Sequence, residues 1–180
     1  MEQRRRLLMG LAAAALAGAA RGSFATTDKG GPRQLRWDDL VPKGWSPLDE
    51  YRKAHPMLEG DSPEGMQAMR EIWDNAPTLK TLDGQTVKLP GYVVPLEAIQ
   101  DAMREFLLVP YFGACIHSPP PPANQIVHVV PATPPKGLRA MEVIWVTGVM
   151  TARRGDSMMG ASGYRIERAS IEPYERKKQQ

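Results

Sequence analysis

Alternation between apolar and polar positions changes character near Pro77, and that change divides the chain. Before it, apolar residues recur at helical spacing: Met66, Met69, Ile72 and Trp73 share one face. Ser46-Pro47 and Ser62-Pro63 each supply a hydroxyl cap and a proline for the first helical position, followed by Asp49 or Glu64 in the first turn. Two short helices are therefore predicted, one ending before Pro56 and the other near Asn75. On this reading Met66 and Met69 belong to the core, and His55 is a surface residue at a helix end.

After Pro77 the period shortens to two. Leu79 and Leu82 lead to the turn pair Asp83-Gly84, then to Val87, Leu89 and Gly91-Tyr92-Val93-Val94. Further strands are predicted over residues 105–111, 125–130, 141–150 and 163–171. Only the last alternates cleanly enough to have one wet face. Glycines inside such runs, at Gly91, Gly148 and Gly163, permit sharp bends. The expected fold is mainly β: a small five-stranded antiparallel barrel of the oligonucleotide/oligosaccharide-binding type, with a helical N-terminal extension. Residues 78–174 form the barrel, residues 26–77 an extended arm and the two helices, and residues 175–180 a disordered basic tail.

The first 25 residues have a different design. Arg4-Arg5-Arg6 precedes an Ala/Leu-rich stretch over 7–20, and the small-residue cleavage sites Ala17-Gly18-Ala19 and Ser23-Phe24-Ala25 follow. The stretch is too short and too alanine-rich for a good membrane span, so no transmembrane segment is expected once it is removed. Paired arginines ahead of Leu7 and Leu8 favour the twin-arginine route over general secretion. An exported, periplasmic protein is expected, with no cysteine near the cleavage sites to carry lipid. Four arginines and one glutamate lie in this segment. Of 23 basic and 20 acidic residues, 19 of each remain after it. The basic balance thus belongs to the export segment and gives no support for nucleic-acid binding.

The candidate chemistry lies in one loop. The only cysteine, Cys115, stands two residues before His117, and Pro119, Pro120, Pro121 and Pro122 follow. In extended backbone an i, i+2 pair points the same way, and the prolines stiffen what comes next. A thiolate and an imidazole suit zinc or copper. His128 is the expected third ligand, with Asp101, Glu105 or Met158-Met159 as further possible donors. The alternatives are that Cys115 is a small buried hydrophobe beside a hydrogen-bonded His117, that the proline loop docks a partner, or that the pair is a nucleophile and base with Asn124 as orienting group.

The segment Phe106-Leu107-Leu108-Val109-Pro110-Tyr111-Phe112-Gly113-Ala114-Cys115-Ile116-His117, with Pro119 to Pro122 and Asn124-Gln125, resembles the signature of an exported bacterial domain-of-unknown-function family. The Leu82-Asp83-Gly84 turn, the Pro90 to Leu96 block and Gly163-Tyr164 fit the same family, so the resemblance covers about residues 78–174. It implies exported or lipid-anchored envelope proteins, associated with metal or ABC-transporter functions and without a settled activity. Three readings stay open: a periplasmic metal-handling protein using Cys115, His117 and His128; a metal-free accessory of an envelope transporter or assembly, docking through Pro119–Pro122; and a thiol enzyme.

Overall fold

The computed structural model describes residues 31–114 and 120–175. The export segment, Cys115, His117, Pro119 and the last five residues lie outside that description.

Strands β1 (Arg33–Gln34), β2 (Thr86–Ile99), β3 (Ala102–Val109), β4 (Val127–Pro131), β5 (Val143–Thr151), β6 (Gly155–Ser157), β7 (Gly160–Ser162) and β8 (Tyr164–Pro173) follow helices α1 (Pro47–Ala54) and α2 (Pro63–Asp74), except for β1, which precedes them. The barrel runs β2-β3-β4-β8-β5 and closes back on β2. All five predicted strands are present. The antiparallel expectation needs one correction, because β4 pairs with β8 in parallel, Val127 opposite Tyr164 and His128 opposite Arg165. The chain makes β5 and a small hairpin between β4 and β8, and this long connection permits a parallel seam.

Strand β2 closes the barrel because it is long enough to serve two neighbours. Its first half pairs with β5 and its second half with β3, overlapping at Tyr92. Gly91 sits beside this switch, where close packing leaves no space for a side chain. A Cβ there would lie 2.7 Å from Leu108 Cγ and 2.9 Å from Trp37 Cζ2. Gly148 is the same case, with Ile166 Cγ2 only 2.5 Å from a Cβ built on it. True left-handed backbone occurs instead at Gln100 and Asp101, the two-residue β2–β3 turn.

Inward-facing Val87, Leu89, Val93, Phe106, Leu108, Val129, Val146 and Ile166 are buried together in the interior. The N-terminal arm plugs one end. Leu35 and Leu40 are fully buried, and Trp37 Nε1 donates to Pro90 O at 2.8 Å. Tyr164 ties arm, linker and barrel together. Its hydroxyl donates to Leu40 O and accepts from Leu79 N, both at 2.7 Å. Burial pushes its pKa up, so the hydroxyl keeps the proton it donates.

Both helices begin as predicted, Ser62 Oγ accepting from Gly65 N at 3.0 Å and Ser46 Oγ from Asp49 N at 3.4 Å. Their apolar face is another matter. Met66 is 56% exposed and Met69 only half-buried, so these methionines are not core. The helices pack chiefly on each other, with Gly65 letting Tyr51 and the Glu59 carbonyl come close. No helix among the described residues is long and apolar enough to cross a membrane.

Candidate functional site

The outer face shared by the second half of β2 and by β3 is covered, and the described ends of the segment between β3 and β4 are part of the cover. Val94, Leu107 and Val109 point outward from the barrel, yet all are buried. They form a second apolar cluster with Ala114 and Ile126, flanked by Tyr92, Leu96, Met141 and Met159. Ala114 and Ile126 belong to the segment between β3 and β4, so that segment is anchored on the barrel wall from both sides of Cys115 and His117. Gly113 N meets Met141 Sδ at 3.1 Å, and the Phe112 ring stands edge-on to Tyr92 with centroids 5.9 Å apart.

The described prolines, Pro120 to Pro122, adjoin this cover. Pro120 is exposed but close to Gly160 at the tip of the β6–β7 hairpin, where a Cβ would lie 3.5 Å from it. Pro121 is buried, and Pro122 begins a 3-10 turn over Ala123–Gln125. Asn124 lies fully buried within that turn, its Nδ2 donating to Pro77 O at 3.0 Å while Oδ1 has no partner among the described residues. Its amide group is therefore committed to the linker between helices and barrel.

His128 faces outward from β4, directly across from Leu107 of the outer cluster. Its side chain is 14% exposed, and both ring nitrogens are engaged. Nε2 meets Glu105 Oε2 at 2.8 Å, and Nδ1 meets the Arg165 guanidinium at 2.8 Å. A guanidinium can only donate, so these partners assign Nδ1 as acceptor and Nε2 as the protonated nitrogen. Burial, the largest influence, and the Arg165 charge press the His128 pKa below its ordinary 6.5, against the pull of Glu105 and Glu167. Arg165 Nε in turn donates to Glu167 Oε1 at 2.7 Å. The result is a neutral imidazole at the centre of a four-residue network across β3, β4 and β8.

Of the further donors considered from sequence, only Glu105 reaches His128. Asp101 is exposed in the β2–β3 turn, Met159 packs into the outer cluster, and Met158 is fully exposed. Among the described residues no three His, Cys, Asp or Glu side chains converge as a metal would require. Arg165 and Glu167 were missed in the sequence, although the clean alternation of their strand already placed both on its wet face.

The family model that matches residues 37–173 is "Protein of unknown function (DUF3299)". The chain belongs to the DUF3299 family. The matched stretch takes in the arm from Trp37 onward and both helices as well as the barrel. The chain is also similar to a crystal structure, at 2.45 Å resolution, of a DUF3299 family protein from Pseudomonas aeruginosa PAO1. The two are 39% identical, with 82% of this chain and 99% of the other covered, at a TM-score of 0.64. No curated protein matches the chain.

Proposed function

We propose that this DUF3299 protein is an exported, periplasmic accessory protein that works through the covered outer face of β2 and β3 by docking onto a partner protein of the envelope. The observation that carries this reading is the contrast within that face. The cluster beneath is dry and packed, while Phe112 and Met158 at its rim are 66% and 101% exposed. Large apolar side chains on a stiff, well-anchored support bind with little conformational entropy to lose. The His128 network supports the metal-free form, because neither ring nitrogen offers a free lone pair. The transporter or assembly component suggested by the family resemblance is the partner class that fits.

Detergent-solubilised envelope provides the test. The wild-type protein is expected to migrate within a larger complex, and Phe112→Asp with Met158→Asp to release it as a free, folded monomer. Wild-type protein that already migrates as a free monomer overturns the reading.

A second reading, transition-metal binding by Cys115, His117 and His128, is favoured by one observation. Glu105 holds His128 by Nε2 as a carboxylate holds the second nitrogen of a metal-ligating histidine. Zinc or copper would then have to displace Arg165 from Nδ1. A zinc titration separates the two. Stoichiometric binding that Cys115→Ser abolishes supports the metal reading, and its absence retires it.

A further inference from the structure

A cleft of about 450 Å³ opens between the end of the arm and the two helices, far along the chain from the cysteine loop. Trp45 and His55 contribute rings to its lining, Ala68 and Ile72 apolar side chains, and Glu50 and Glu71 carboxylates. The indole is not free to swing, because Trp45 packs against the buried alanines Ala76, Ala123 and Ala161. Its position is therefore set before any ligand arrives.

The charges have one sign. Glu50 is paired with Lys53 at 3.1 Å, outside the lining. Glu71 meets only the neutral amide of Gln67, at 3.2 Å, and has no cationic partner among the described residues. No lysine or arginine lines the recess. A hard metal ion needs several converging oxygen donors, which the walls do not supply. Aromatic and apolar walls beside one uncompensated carboxylate suit a weakly hydrated organic cation instead, held over the indole face and balanced by the carboxylate.

We infer that this cleft is a binding site for an alkylated ammonium group, with Trp45 as the ring that receives the cation and Glu71 as its counter-charge. The recess and the preset indole carry the assignment, and the carboxylate decides the sign of the charge. The inference is independent of what the cysteine loop does.

Choline and its uncharged isostere 3,3-dimethylbutan-1-ol are the probes, titrated into the purified protein while the Trp45 indole N–H is followed by NMR. Trp45→Phe identifies that resonance among the four tryptophans. Choline is expected to shift it saturably, with a Kd at least tenfold below that of the alcohol. Glu71→Gln, a substitution at an exposed position that keeps the Gln67 contact possible, should raise the choline Kd at least threefold and leave the alcohol unchanged. A Trp45 signal that choline does not move, equal affinities for the two probes, or a choline Kd indifferent to Glu71→Gln would each overturn the site.

Discussion

The barrel has two outer faces built on the same strand geometry and used in opposite ways. Over the second half of β2 and over β3 the outward positions are largely apolar and covered: Val94, Leu107 and Val109 pack with Ala114 and Ile126 of the β3–β4 segment and with Met159 of the hairpin, and Glu105 and His128 stand at the margin. Over the first half of β2 and over β5 and β8 they are open to solvent and mixed in polarity. Lys88 reaches Glu172 at 2.7 Å and lies 5.3 Å from the Trp145 ring, which pairs with Tyr174. The covered face is thus a second, smaller core, covered in part by the residues that flank the candidate loop. The open face satisfies itself with exposed contacts that contribute little.

If that contrast is right, the two faces of one strand should respond differently to the same truncation. Leu108→Ala opens a cavity inside the closed barrel and is expected to cost about 2–5 kcal/mol in chemical denaturation. Leu107→Ala on the covered face should fall at the low end of that range, since a loop and a hairpin collapse more readily than a barrel wall. Equal costs would mean the cover is as rigid as the barrel. Tyr164→Phe strands the Leu40 carbonyl and the Leu79 amide inside the fold, and about 1–3 kcal/mol should be lost.

The strand period made the five barrel strands and both capped helix starts legible. Three things were not. The parallel seam is invisible to periodicity, because a strand alternates identically whichever way its neighbour runs. The covered outer face was written in β3 as Phe106-Leu107-Leu108-Val109, apolar on both sides, but such a run equally suits any doubly buried strand. Met66 and Met69 have the spacing of a core stripe while their helix packs mainly on another helix at the edge of the domain. The His128 network was half legible: Glu105 was considered as a neighbour, whereas Arg165 depends on the β4–β8 pairing that sequence could not supply.

Smaller effects sharpen the comparison further. The folded pKa of His128 lies below the unfolded value of about 6.5, so below that pH the unfolded chain binds more protons. Stability should fall as pH drops from about 6.5 toward 5, and His128→Gln should flatten that slope in denaturant titrations at each pH. A slope unchanged by the substitution would show that the network titrates elsewhere. On the open face, the Thr147 hydroxyl is buried without a partner among the described residues, and Thr147→Val is expected to raise stability by up to about 1 kcal/mol.

The claim that the covered face is the working surface is tested most directly by site-specific photo-crosslinking in intact cells, with the photoreactive residue at Phe112 or, on the open face, at Val149, which is 50% exposed. One discrete adduct with an envelope protein is expected from position 112, lost when Met158→Asp is added, and none from position 149. No adduct from position 112, or the same adduct from both positions, would contradict it.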